Sequence, residues 1–370
     1  MGKRIVGYDV AKSIAMFFVV LLHFAFYTRY YSGGLAGTAV TTLCVICVPL
    51  FFAVNGALLL PRTFDVKKHY KKTCTVVAIV SIWKLLIAAF FVYVDGSHSV
   101  GVKNLVVFLF GGGFGEYPVG YFWFMNALIA VYLIYPLIKI AFDSNDKSAM
   151  GCLLAVIFCF SVGKDTVRVI LQMLGSVSHH DFASVLDGVG QFYIFGDYGY
   201  VLMYFVIGGL IGASVSRAGG GHCLDRFRLQ PTVALLAVLL CYIVTFAIQR
   251  YQHAVQGTNL TVDYGYWLFP TFLATILVLQ LLVNVKMEGV VAAVSKVVGA
   301  NTFGIYMLHM IGLVLMSRLQ ALPVFSCLGN MNSILVTLMN IVMALFVFLG
   351  CLIVSVLLRR IPVVGRLFSL

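Results

Sequence analysis

Asp9-Val-Ala-Lys12-Ser-Ile-Ala-Met-Phe-Phe-Val-Val-Leu-Leu-His23-Phe-Ala-Phe-Tyr-Thr-Arg29 is the first apolar run of this chain, and its reading decides the fold. A bilayer core about 30 Å thick needs about 20 apolar residues in a helix, and this run supplies them. It ends in His23 and Arg29 with no small-residue cleavage site, so it reads as a retained first helix and not a removed signal peptide. With it, runs of spanning length lie near 10–30, 38–60, 73–94, 118–140, 148–168, 197–215, 230–250, 265–285, 297–319 and 332–358. The fold class is therefore all-α and polytopic, about ten transmembrane helices in one bundle and one domain over 1–370. Segment 103–111 is too short to cross and reads as a half-helix.

Composition agrees. The 370 residues are 62% hydrophobic and 10% charged, whereas soluble domains carry about 45–50% and 25%. A soluble enzyme is excluded. The net charge of +12 would suggest nucleic acid in a soluble protein, but its placement argues topology instead. Of 25 Lys and Arg, 18 fall in connections sharing one side of the bilayer and six on the other, leaving Lys84 inside a span. By the positive-inside rule both termini are cytoplasmic, and no nucleic-acid partner is implied.

Nine cysteines, an odd number set mostly in apolar runs, make no secreted disulfide framework. Cys44-x-x-Cys47 has metal-like spacing, but its apolar context favours a packed helix face. His179-His180-Asp181 sits in the longest polar connection, 164–197, where a metal site competes with simple solvation. No metal cofactor is expected.

Ionisable residues inside a span cost about 2.5–3.5 kcal/mol, so each is a candidate for function. Three stand out: His23, Lys84 and His309. A rise of about 1.5 Å per residue puts them roughly 16, 18 and 20 Å from the cytoplasmic edge, at similar depth on three helices. Lys12 and His23 return to within roughly 20° of one helix face at 100° per residue, and Asp9 pairs with Lys12 at i,i+3. The first helix thus carries a polar stripe from the surface to the bilayer centre. It could hold an anion at Lys12 while His23 acts as a general base. A structural imidazole bonded to a neighbouring helix is the bland alternative. Lys84 follows Trp83 and could instead make a cation–π contact or snorkel. Trp123 and Asn126, one turn apart, could stack on and bond a sugar, or anchor at the interface. Tyr306 and His309, also one turn apart, could contact substrate. Lys67-Lys68-His69-Tyr70-Lys71-Lys72 attracts anionic membrane lipid and could also clamp phosphates.

These residues resemble a known family. Asp9-x-x-Lys12 with His23 is similar to the first-helix signature of acyltransferase family 3, a basic residue and a His with ten residues between them. Val48-Pro-Leu-Phe-Phe-Ala-Val-Asn-Gly-Ala-Leu-Leu, Tyr121-Phe-Trp-Phe-Met-Asn-Ala-Leu and Asn301-Thr-Phe-Gly-Ile-Tyr-Met-Leu-His309 resemble later parts of that family, in order, over about 8–366. Lys12 stands where the family has Arg, and Asn55-Gly56 where it has Ser-Gly. The resemblance implies a plasma-membrane O-acyltransferase moving an acyl group, usually acetyl, from cytosolic acyl-CoA to a hydroxyl of a surface glycan or lipid-linked saccharide. On that reading His23 is base or acyl carrier, and Lys12, Lys68, Lys71 and Lys72 hold CoA phosphates. Lys84, Trp123, Asn126, Tyr306 and His309 line the acceptor pocket. A transporter or flippase for a lipid-linked saccharide is the competing reading. It lacks the inverted repeat and paired broken helices that many transporters show.

Overall fold

Proline and capping residues set the boundaries of the helices. The computed structural model describes residues 4–28, 34–96, 100–144, 146–192, 196–216, 229–256 and 265–369. Within them run α1 (Val6–Tyr27), α2 (Leu35–Cys44), α3 (Cys47–Leu59), α4 (Val66–Phe90), α5 (Val102–Leu109), α6 (Trp123–Asp143) and α7 (Lys147–Phe158). There follow α8 (Lys164–Ser178), α9 (Gly199–Ser216), α10 (Pro231–Gln256), α11 (Phe269–Asn284), α12 (Gly289–Gln320) and α13 (Ser333–Leu358). No strand forms among the described residues; Phe114 and Tyr117 make an isolated bridge.

Among the described residues, seven helical segments are long and apolar enough to cross a bilayer: α1, α2–α3, α4 with its extension to Asp95, α6 with its lead-in from Gly120, α10, α12 and α13. α9 and α11 are shorter apolar helices. Leu235, Leu236, Leu239 and Leu240 on α10 and Phe346 and Ile353 on α13 are exposed, a surface that only lipid can cover. The chain is an all-α polytopic membrane protein.

Three boundaries differ from the sequence reading. The run 38–60 is broken by a turn at Val45–Ile46, because Pro49 has no N–H for the Val45 carbonyl and its ring crowds it. Cys44 and Cys47 therefore flank a turn and do not share one helix face; both are buried. The helix expected from 73 begins at Val66, where Asp65 caps it by accepting from the Lys68 amide at 3.0 Å. The basic segment 67–72 is thus helical. It docks on α6, where Pro136 frees a carbonyl: His69 Nε2 donates to Tyr132 O at 2.7 Å and Tyr70 to Leu133 O at 3.0 Å.

The third difference is the connection 164–197. A π-helical turn, Cys159–Gly163, joins α7 and α8 into one rod that carries helix to Ser178. His179 ends that rod in the left-handed region, at φ 58°. Asp181 accepts from the amides of Ala183 and Ser184, at 3.0 and 3.2 Å, and starts the next turn. These residues cap backbone. The short helix α5 (Val102–Leu109) takes up most of segment 103–111.

α1 lies at the centre, packed on α12, α3, α13, α11 and α2. α3 and α9 approach most closely, through small residues as membrane interfaces do. A Cβ on Gly208 would fall 1.9 Å from Ala53 O, and one on Gly56 1.8 Å from Phe205 O. This fixes α3 beside α1 and shapes the cavity between α1, α3, α4, α6 and α12.

Candidate active site

Asp9 is buried and gathers two cations, accepting from Arg4 Nε at 2.7 Å and pairing with Lys12 Nζ at 3.2 Å. Outside the span, the hydrogen bond from Arg4 to Asp9 raises the guanidinium pKa further above its ordinary value. Lys12 also donates to Gly299 O on α12, at 3.1 Å. Gly299 permits this, since a Cβ there would meet Asp9 Oδ1 at 2.8 Å. Two of the three ammonium protons are committed, and the third remains for a ligand.

Lys12 lines a cavity of about 290 Å³ with Arg62, Lys72 and Arg359. The cavity has no acidic residue among its lining side chains. Beyond the cations its walls turn apolar, with Phe51, Val54, Leu58, Phe124 and Met125, and Tyr306 also lines it. Arg359 is held by the Ala300 carbonyl and by Asn301 Oδ1 at 3.3 Å, and Ser355 donates to the same oxygen at 3.0 Å. Lys68 and Lys71 are exposed and line no part of this cavity; Lys68 lies 3.9 Å from Asp65.

Behind Tyr306 four rings meet. His23 and His309 stand edge to face with centroids 5.0 Å apart, and Tyr121 lies 5.0 Å from His309 and 6.4 Å from His23. Tyr306 is 5.4 Å from His309 and 5.7 Å from Tyr121, and its hydroxyl donates to the Tyr121 carbonyl. His23 Nδ1 bonds Val19 O at 2.8 Å, and His309 Nδ1 bonds Tyr306 O at 2.5 Å. A carbonyl only accepts, so both protons sit on Nδ1 and both Nε2 atoms keep a lone pair. His309 Nε2 and the Tyr121 hydroxyl are buried and have no partner in the protein.

Lys84 belongs to a different centre. Equal depth had grouped it with the histidines, but depth leaves direction around the helix axis open, and Lys84 faces α5. Its Nζ donates to Phe108 O at 3.0 Å, Leu109 O at 3.2 Å and Asn126 Oδ1 at 3.2 Å. Phe108 and Phe122 add cation–π contacts at 5.5 and 5.8 Å. All three ammonium protons are used, and the charge caps the C-terminal carbonyls of α5. Trp123 stacks on Tyr198, with centroids 5.5 Å apart. With Lys84 and Asn126 these rings line a second cavity, of about 420 Å³. Trp123 and Asn126 thus accompany Lys84, while Tyr306 accompanies the histidines.

Arg62, Arg359 and Tyr121 had no role in the sequence reading. In the sequence the two arginines count only toward the charge asymmetry. Tyr121 stood in a quoted stretch without a role, and no spacing rule connects any of the three to α1. Among the described residues no group of three or more His, Cys, Asp or Glu could hold a metal.

The arrangement offers a cationic mouth, an apolar throat and two imidazoles with basic nitrogens. No curated protein and no solved structure matches the chain. The sequence model of one family, described as an acyltransferase domain, matches residues 5–360. That match takes in α1 with its Lys12–His23 stripe, both cavities and Arg359, so the chain belongs to acyltransferase family 3, a membrane acyltransferase.

Proposed function

We propose that this acyltransferase takes acetyl from cytosolic acetyl-CoA and places it on a hydroxyl of a cell-surface glycan or lipid-linked saccharide at the plasma membrane. The acid-free cavity with four cations carries the reading. Coenzyme A is an adenosine carrying a 3′-phosphate and a 5′-diphosphate, and the diphosphate leads into a thin pantetheine arm. Lys12, Arg62, Lys72 and Arg359 suit the phosphates, the apolar walls suit the arm, and the thioester then arrives at Tyr306 before the histidines. Charge-assisted bonds to phosphate are the strong ones, and Arg adds a planar fork where Lys gives a point charge.

In the proposed step the acceptor hydroxyl gives its proton to His23 Nε2 as its oxygen attacks the thioester carbon. The carbonyl π pair moves to oxygen and returns as the C–S bond breaks, and the coenzyme thiolate takes the proton from His23. An acyl-His23 intermediate would divide the same balance into two transfers. The test is purified protein in proteoliposomes with acetyl-labelled acetyl-CoA and a methyl glycoside as acceptor. The label should move to the glycoside or, more slowly, to water. Unconsumed acetyl-CoA would contradict the reading and favour transport.

Sidedness is part of the proposal: both termini and the 61–72 connection are cytoplasmic, and 164–197 lies outside, on the ground of the charge asymmetry. In a background stripped of exposed cysteines, impermeant labelling of intact cells should modify Ser178→Cys and spare Thr63→Cys. The reverse pattern would remove the cytosolic entrance for the donor.

A further inference from the structure

The chain turns back on itself after α13. Pro362 cannot continue a helix, and residues 361–369 reverse through a short helical turn, Val364–Phe368. Gly365 makes the reversal tight: its amide donates to Ile361 O at 2.7 Å, and a Cβ on it would fall 2.5 Å from Arg359 O. The returning strap enters the bundle. Trp83 Nε1 on α4 donates to Leu367 O at 2.6 Å, and the Phe368 ring stands edge-on to Trp83 with centroids 5.1 Å apart. From α12, a Cβ on Gly304 would lie 2.8 Å from the same ring, so glycine leaves room for it. Phe368, 3% exposed, is thus wedged between α4 and α12.

The strap has two sides. Ile361 and Val363 are exposed, an apolar outer side suited to lipid, while Ser369 lines the cationic cavity with Val76, Phe303 and Arg359. Its depth follows from its neighbours. Trp83 lies 11 residues beyond Lys72, roughly 16 Å in, and Gly304 is two residues from Tyr306 on α12. Phe368 therefore sits level with the throat of the cavity. Backbone without helix bonds is tolerated at such depth only where protein buries it or a cavity adjoins it, and both hold for this strap.

The cavity, about 290 Å³, is at the small end of ligand pockets, which run from about 300 to 1,000 Å³. An acyl chain of more than a few carbons has to leave it through a wall. Lipid beyond the wall favours such a chain by about fourfold in affinity for each methylene. We infer that the strap 361–369, through Phe368, seals the seam between α4 and α12 against lipid and so holds the donor to short acyl groups. This deepens the proposed function and rests on its donor reading. Phe368 touches no reacting atom; it decides which acyl chains fit. The transfer itself keeps its balance, whatever the length of the acyl group.

The experiment compares wild type, Phe368→Ala and Phe368→Leu in proteoliposomes, with acetyl-, butyryl- and octanoyl-CoA as donors and methyl glucoside as acceptor. Coenzyme A release is measured per folded molecule, and thermal unfolding is followed in the same samples. Wild type should favour acetyl over octanoyl by at least about tenfold in kcat/KM, since one misfitting methylene alone can cost that much. Phe368→Ala should raise the octanoyl-to-acetyl ratio by about tenfold or more, with butyryl between. Phe368→Leu trims the ring, keeps most of the packing and should move the ratio the same way by at least about twofold. Emptying a core ring costs stability, so the leucine variant decides if the alanine variant does not fold. The ratio is the readout because a loosened fold lowers every donor together. An unchanged ratio in the more truncated variant that folds makes Phe368 a packing residue and overturns this inference alone. Wild type that uses octanoyl-CoA as well as acetyl-CoA also overturns it alone. Wild type that releases coenzyme A from none of the three donors overturns the proposed function and the strap's role with it.

Discussion

Lys84 and His309 are both buried polar groups on membrane helices, yet one is saturated and the other is not. Lys84 has three protons and three oxygens to receive them. His309 has one nitrogen bonded and the other without a partner, beside a tyrosine hydroxyl in the same condition. A charge inside a span is expensive either way. Counting donors against acceptors thus sets Lys84, whose protons all hold the scaffold, apart from His309, whose second nitrogen is left over in the ring cluster. Lys12 lies between, with two protons committed and one left over a cationic cavity.

The sharpest way to break this comparison is at His23. His23→Ala removes a free basic nitrogen and one bond to Val19, so turnover should fall by about 10²–10⁴, the usual worth of a general base. The melting temperature should stay close to wild type. A large stability loss with active residual protein would make the imidazole structural.

Next in size is the donor cavity. Replacing Arg62, Lys72 and Arg359 by Gln should raise the acetyl-CoA KM by about tenfold or more, combining partly screened charge contacts. The difference should shrink as salt rises. Unchanged donor KM at low salt would leave these charges to topology.

Lys84→Met should affect stability more than catalysis. It leaves two helix-end carbonyls and the Asn126 oxygen without their donor, at about 1–3 kcal/mol for each buried group left unmade. Melting should fall by several degrees while turnover per folded molecule changes less than about threefold. Smallest of all should be Lys68→Gln with Lys71→Gln, exposed lysines away from the cavity, with less than about a twofold change in donor KM. A large effect there would move the phosphate site onto the surface of α4.

Much of the fold could be read from apolar run length, because lipid leaves the backbone no alternative to helix. The stripe Asp9–Lys12–His23 was also readable, since one helix carries all three and 100° per residue fixes their face. What escaped was azimuth and long-range closure. Lys84 matched the histidines in depth, yet its direction depended on α5, a short helix whose C-terminal carbonyls needed a cap. Arg62 and Arg359 are far apart in the chain and line one cavity only because α3 and α12 both pack on α1. Tyr121 became visible only when its hydroxyl proved to have no partner.

The most direct test measures coenzyme A release from acetyl-CoA per folded molecule for His23→Ala and Lys84→Met in one proteoliposome preparation. The account predicts that Lys84→Met turns over at least about thirtyfold faster than His23→Ala, since a lost general base removes at least about a hundredfold and Lys84→Met less than about threefold. Equal rates for the two variants, or His23→Ala above roughly a tenth of wild type, would contradict it.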